Sequence, residues 1–369
     1  MTDTLTRPPA TDESWTAREI RQQPETLRAT QALLMRDRAA IEAFVAPLLA
    51  DPATRIVLTG AGTSAFIGEA IAPELSRLLD RCVEAIATTD LVSAPHLHFR
   101  RDVPTLLVSF GRSGSSPESV AAVDLADARL ERVHHLVVTC NADGELARRG
   151  GGNTHVVLLP EETHDRSFAM TSSFTAMMLA ALSILAGIET VDARIPAIAA
   201  TTLGALRTES NVAELARRGF DRVVYLGSGV FKGLAREAAL KLMELSDGAV
   251  VTAFDTPLGF RHGPKTIVTD RTLAVVFLSN DPLTRRYDRD IVDELRRDGS
   301  AEVVVIGVDG DLIVGARDAD DADLLFPYIV PAQLFALHVS LALGLTPDRP
   351  NAAGTVNRVV QGVRIHTLA

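Results

Sequence analysis

A chain of 369 residues is long enough for about two compact domains with connecting pieces. Hydrophobic residues at 47% and charged residues at 23% exclude a disordered or fibrous chain. With 37 Lys and Arg against 47 Asp and Glu, a net charge of −10 and no basic block, a nucleic-acid surface is excluded; an anionic ligand must be held by local groups, because the overall field repels it.

The first fifteen residues, MTDTLTRPPATDESW, lack the apolar core of a signal peptide. The longest apolar stretch, around residues 176–187, is too short to cross a bilayer. No membrane partner and a cytoplasmic location are expected. Cys82 and Cys140 each sit in an apolar, strand-like run, which argues against a disulfide framework or a Cys-based zinc site. Residues 1–50 read as a helical arm punctuated by Pro24 and Pro47.

From Arg55 onward, short Val/Ile/Leu runs alternate with helical patterns, the signature of strands buried on both faces of a parallel sheet. Strands are expected at 56–60, 83–88, 105–110, 135–140 and 155–160. A second series follows at 223–227, 272–277, 302–307 and 322–327, after a helical stretch at 191–218. Gly60 and Gly227, Thr105 and Thr272, His135 and Glu302, and Pro160 and Pro327 are each separated by 167 residues, which indicates an internal duplication. Each copy is expected to be a doubly wound α/β unit with ligands beyond the carboxyl ends of its strands.

The first strand runs into Gly60-Ala61-Gly62-Thr63-Ser64-Ala65. This turn fits a phosphate loop, a dinucleotide fingerprint with Asp90 as the ribose acid, or a tight turn needed only for packing. The hydroxyls of Thr63 and Ser64 favour an anion or sugar contact at a helix N-terminus. The third strand ends in Gly111-Arg112-Ser113-Gly114-Ser115-Ser116-Pro117. Pro117 suits the first helical position, so Ser116 is the N-cap of a helix over 117–129. Free N–H groups, the positive end of a helix dipole, the hydroxyls of Ser113, Ser115 and Ser116, and Arg112 are the ingredients of a monophosphate cradle. An N-capped helix with no ligand is the plainer alternative.

In LAREAALKLMELS, Glu237, Lys241 and Glu244 share one helical face. Such pairs usually stabilise a surface helix, but this helix follows the second glycine turn, Gly227-Ser228-Gly229, so its start should border a cleft where one carboxylate can serve as base. His262, in FRHGPK, lies on a loop, with a near-neutral pKa suited to proton transfer at a ring oxygen; an incidental loop histidine is the alternative. His96 and His98 have metal-ligand spacing but no third ligand, so no metal is expected. His134 and His135 precede a strand and read as structural. The run 162–175, with Asp165, Arg166 and several hydroxyls, precedes an apolar helix and is a candidate cleft wall.

In this order, GAGTS, SFGRSGSSPES, EAALKLMELS, FRHGPK and NAAGTVNRVVQG resemble the sugar isomerase (SIS) superfamily. Within it the chain is most like the galactosamine-6-phosphate deaminase/isomerase group, also called tagatose-6-phosphate ketose/aldose isomerases. The resemblance runs from residue 17 to 362, with SFAMTSSFT and FRHGPK its most specific segments. It implies two tandem flavodoxin-like SIS domains, at 51–190 and 219–369, with a helical arm at 1–50 and a connector at 191–218.

The chain is also similar to the isomerase half of glucosamine-6-phosphate synthase. By that likeness Ser64, Ser113 and Ser116 hold the phosphate, with Arg112 and Ser115 beside them. Glu244 is the isomerisation base, with Lys241 and Glu237 in the same helix, and His262 opens the ring. Gly62, Thr63 and Thr355 contact the sugar. There are departures: no glutaminase domain with a nucleophilic Cys, Gly354 where the synthase has its C-terminal lysine, and Gly259 in place of an acid three residues before His262. Glutamine-dependent amination is therefore excluded. The implied reaction turns D-galactosamine 6-phosphate into D-tagatose 6-phosphate and ammonia, without a cofactor, in a homo-oligomer. The alternatives are a plain hexose-6-phosphate aldose–ketose isomerase, a non-catalytic sugar-phosphate sensor, or a nicotinamide-dependent oxidoreductase built on Gly60–Ala65.

Overall fold

A computed structural model describes residues 14–360 and 362–366. The first thirteen residues of the expected arm, with most of the stretch read as lacking a signal peptide, lie outside the described residues, as do Gln361 and residues 367–369.

The arm is two helices, α1 (Trp15–Arg21) and α2 (Gln23–Ala50). Ser14 caps α1 by accepting from Ala17 N at 3.2 Å. Pro24 sits in the first turn of α2, where a missing N–H costs nothing, but Pro47 lies inside the helix and does not end it. The first half then runs β1 (Arg55–Thr59), α3 (Thr63–Leu78), β2 (Val83–Ala85), α4 (Thr88–Ser93), α5 (Pro95–His98), β3 (Thr105–Gly111), α6 (Pro117–Arg129), β4 (Val133–Thr139), β5 (Thr154–Leu158) and α7 (Ser172–Ala186). After α8 (Ile188–Asp192), α9 (Ile195–Ala205) and α10 (Glu209–Arg217) come β6 (Arg222–Gly227), α11 (Phe231–Leu245), β7 (Val251–Asp255), α12 (Pro257–Phe260), β8 (Thr272–Phe277), α13 (Pro282–Asp298), β9 (Glu302–Gly307), β10 (Leu312–Ile313) and α14 (Asp321–Ala342).

The strands form two five-stranded parallel sheets, β2-β1-β3-β4-β5 and β7-β6-β8-β9-β10. The same order in both halves is the duplication read from the sequence, and it is the doubly wound order whose switch point lies between the first and third strands.

The fourth landmark fails. Residues 322–327 are not a strand but the start of α14, because a short apolar run does not by itself distinguish a strand from a buried helix. Asp321 and Asp323 stand in its first turn, where the dipole favours acids. By length and composition α14 could cross a membrane, more so than residues 176–187, but 89% of its most apolar window is buried, so it is a core helix. The strands β7 and β10 lie beyond the expected ones: the first is an edge strand with Val251 and Phe254 exposed, and the second has only two residues.

One hydrophobic core runs through both halves, from Leu27 and Leu34 of the arm to Tyr328 and Leu334 of α14. At its centre α3 crosses α11 closely. A Cβ on Gly233 would lie 2.4 Å from Ala70 N, so only glycine permits this approach. That crossing brings a helix of the second half against the glycine turn of the first.

Candidate active site

The β1–α3 turn is built on glycines. A Cβ at Gly60 would fall 2.6 Å from the Ser64 backbone, and Gly62 has φ +56°. The turn delivers Thr63 and Ser64 as the first buried residues of α3. Thr63 faces α11: its Oγ1 accepts from Lys241 Nζ at 3.0 Å and donates to Glu237 Oε1 at 3.2 Å. Lys241 also donates to Glu244 Oε2 at 2.5 Å and pairs with Glu237 Oε1 at 3.5 Å.

The shared face of Glu237, Lys241 and Glu244 is therefore a buried acid–base cluster rather than surface decoration. It differs from expectation in two respects. The middle and end of α11, not its start, carry the cluster, and it meets the first unit's turn rather than its own.

Electrostatics and exposure set the three groups apart. Burial pushes the Glu237 carboxyl up to about 8 despite Lys241, and its Oε2 has no hydrogen-bond partner. Burial alone would lower the Lys241 ammonium, but Glu237 and Glu244 outweigh it and hold the group above its ordinary value. Glu244 keeps 24% of its side chain exposed, so it is the carboxylate that a solute can reach.

A pocket of about 110 Å³ adjoins this cluster. Ser64, Ser113, Ser116, Ser119 and Arg112 line it together with Ala61, Met170, Arg358, Val359 and Val360. Ser116 is the N-cap position of α6, as expected, and its hydroxyl bonds Ser119 Oγ at 2.6 Å. The α6 N-terminus and three further hydroxyls thus converge on one small space. Gly62 shapes the turn beside it.

Ser115 does not join them: its Oγ accepts from Glu145 N at 3.1 Å and tethers the neighbouring loop. Arg112 enters as a brace. Its Nη1 donates to Ser167 O at 3.3 Å and Phe168 O at 3.2 Å, and its Nη2 to Arg358 O at 2.7 Å. Burial lowers its pKa, and its Nε is left without a partner. Thr355 is exposed and bound to Asn351 Oδ1, outside the pocket; three residues on, the tail turns in and Arg358–Val360 form the wall.

His262 is exposed on the turn after α12 and is not among the residues lining the pocket. Asp90 lies inside α4 rather than at a strand end, which removes the ribose-acid geometry. His96 and His98 share the single turn α5, and among the described residues no group of three metal-ligating side chains forms. His134 and His135 lie within β4, where His135 is buried and bonds Asp127 at 2.8 Å. Cys82 is exposed ahead of β2, and Cys140 is buried with its thiol pushed up to about 12 by burial. Asp165, from the run 162–175, caps α7 through Thr171 N and Ser173 N, both at 2.8 Å. Ser119 and Glu19 had no sequence signal: a second serine one turn into a helix and a glutamate in a short arm helix are ordinary locally.

Residues 48–186 match the SIS domain family. A D-galactosamine-6-phosphate deaminase AgaS of Escherichia coli is 45% identical over 99% of this chain and 99% of its own. One from Shewanella sp. (strain ANA-3) is 44% identical over 95% and 92%. The crystal structure of tagatose-6-phosphate ketose/aldose isomerase from Escherichia coli superposes with a TM-score of 0.89 at 41% identity, covering 98% of this chain and 99% of that one.

Proposed function

The chain belongs to the D-galactosamine-6-phosphate deaminase family of SIS-domain proteins, and from that premise we propose how its site deaminates D-galactosamine 6-phosphate to D-tagatose 6-phosphate and ammonia. One observation carries the assignment of residues. Thr63 and Ser64 are consecutive, and the first binds Lys241 and Glu237 while the second lines the serine pocket. A phosphate held by Ser64, Ser113, Ser116 and the α6 N-terminus therefore places the far end of an open-chain sugar near the α11 cluster.

In the open chain, Glu244 takes the proton from C2, giving an enolamine, and returns a proton to C1. This leaves an imine at C2. Water adds there, ammonia departs and the C2 ketone of tagatose 6-phosphate remains. Lys241, fixed by three oxygens, supplies positive charge to the oxygen on which negative charge develops. The buried Glu237, with its carboxyl raised to about 8, holds Lys241 in place.

Ring opening falls to His262. Its exposed position supports a homo-oligomer in which a neighbouring copy presents this imidazole to the pocket. His262→Ala should then spare an open-chain substrate analogue more than the cyclic sugar. Mixed 1:1 with Glu244→Gln in a dimer, it should recover about a quarter of wild-type activity, because half the dimers carry one intact site of two. Equal losses on both substrates would count against ring opening, and no recovery on mixing would place His262 in its own subunit's site. The two unpaired thiols support a reducing, cytoplasmic compartment.

Ser113→Ala should raise KM by about tenfold with little change in kcat, since its hydroxyl binds the phosphate equally in ground and transition states; an unaltered KM would remove Ser113 from the cradle. The deciding assay is ammonia release from galactosamine 6-phosphate, with glucosamine 6-phosphate alongside. Ammonia from the galacto sugar alone is expected. None from either, with tagatose 6-phosphate turned over, would leave a plain isomerase.

A further inference from the structure

We propose that Glu19, on the N-terminal arm, is a positioning residue for phosphate binding: it grips the 166–167 backbone and so fixes the carbonyls that brace Arg112 and Arg358 against the pocket. The inference rests on reading that pocket as the phosphate cradle.

The chain of contacts is continuous. Glu19 is 3% exposed and accepts from the N–H groups of Arg166 and Ser167. On the other side of the same residue, Ser167 O accepts from Arg112 Nη1 at 3.3 Å and from Arg358 Nε at 3.1 Å. Asp165 O accepts from Arg358 Nη2. With its N–H and that of Arg166 held, Ser167 is anchored on one side of its Cα, and from the other side its carbonyl accepts from the two guanidiniums that line the cradle. The arm therefore reaches the pocket through one residue, Ser167.

The protons say which form of Glu19 does this. Ser167 has one hydroxyl hydrogen and two acceptors in reach, Ala169 O at 2.8 Å and Glu19 Oε2. A protonated Glu19 donates from Oε2 to Ser167 Oγ, Ser167 donates to Ala169 O, and Oε1 accepts from Arg166 N; every group is then satisfied. An ionised Glu19 forces the single hydroxyl hydrogen to choose.

Burial, then the charge of Asp165, push the Glu19 carboxyl up to about 8. The other charged groups around it are Arg18 on its own helix, His164 and Arg166 on the loop, Arg112 beyond β3 and Arg358 on the tail. On α14, which packs against α1, His338 is paired with Glu209, and on α2 Arg28 with Glu25. Below about 8 the carboxyl keeps its proton and the chain Glu19–Ser167 Oγ–Ala169 O is closed; as the pH rises through that value the proton leaves and Ser167 Oγ can no longer serve both Glu19 and Ala169 O.

The test is KM and kcat for galactosamine 6-phosphate from about pH 6.5 to about pH 9.5 in wild type, Glu19→Gln and Glu19→Ala, with calorimetric titration of inorganic phosphate in parallel. Glutamine reproduces the neutral donor and acceptor but does not ionise. The wild type should lose about tenfold in phosphate affinity and gain as much in KM across the alkaline limb, with kcat moving less. Glu19→Gln should hold the low KM throughout, and Glu19→Ala should show the raised KM at every pH. Titration of the sugar's own amine is common to all three and cancels in the comparison. A Gln variant that behaves like Ala, or three superimposable profiles, would overturn the proposal. A wild type inactive on the sugar would instead unseat the proposed function, and the phosphate titrations would still decide on Glu19 by the same pattern.

Discussion

Glu244→Gln is expected to lower kcat by a factor of about 10³–10⁴ while leaving phosphate affinity near the wild-type value. The amide keeps the size of the side chain and still offers an oxygen to Lys241 Nζ, so the α11 face should stay assembled. What is lost is the only carboxylate of the cluster that is open to a solute. Glu237 is buried without an open face and keeps its proton to about pH 8, and Lys241 is protonated and fully buried. Neither can take over proton transfer at C2. Stopped-time ammonia release, with inorganic phosphate titration as the binding control, separates the two effects. Activity within tenfold of wild type would remove Glu244 from the base role and direct attention to Glu237.

Gly233→Val should damage both the fold and the site. The added Cβ would meet Ala70 N at 2.4 Å and the Ala70 and Glu69 backbone at 2.7 Å, all main chain of α3 that cannot rotate away. Overpacking of this kind costs about 3 kcal/mol. Relief by separating α3 from α11 would pull Thr63 off Lys241 and Glu237, so the surviving folded protein should also lose kcat. Gly204→Ala, in α9, is the control: a Cβ there meets nothing within 4 Å, and alanine favours the helix by about 1 kcal/mol over glycine. Thermal unfolding of both variants checks the contrast, and a Gly233→Val protein as stable and active as wild type would refute the close crossing.

Both results depend on the same architectural fact, that the site is made where two copies of one unit meet. The duplication leaves each copy a glycine turn at the end of its first strand, Gly60–Gly62 and Gly227–Gly229, yet the serines of the pocket all come from the first copy, with the tail residues Arg358–Val360 closing it, and the acid–base face comes from the second. In the proposed mechanism this separates anchoring from chemistry, and α3 joins the two through the adjacent residues Thr63 and Ser64.

Features that depend on neighbours along the chain are legible in the residues themselves. Apolar runs separated by helical stretches specify a parallel sheet, Pro117 after Ser116 specifies where α6 starts, and the spacing of Glu237, Lys241 and Glu244 specifies one helical face; the structure bears each of these out. Each rests on backbone periodicity or a missing N–H, which act over a few residues.

Packing between distant elements sets which surfaces they meet. Thr63 reaches Lys241 across 178 residues of sequence, and Glu19 reaches Ser167 across 148. It also decided that Ser115 turns to Glu145, that Arg358 rather than Thr355 closes the pocket, that His262 stands outside it, and that residues 322–327 are helix. Such contacts depend on how closely whole helices pack, and here that distance is set by a single missing Cβ at Gly233. Residue spacing carries no record of it, because any pairing of amphipathic faces satisfies the local pattern equally well.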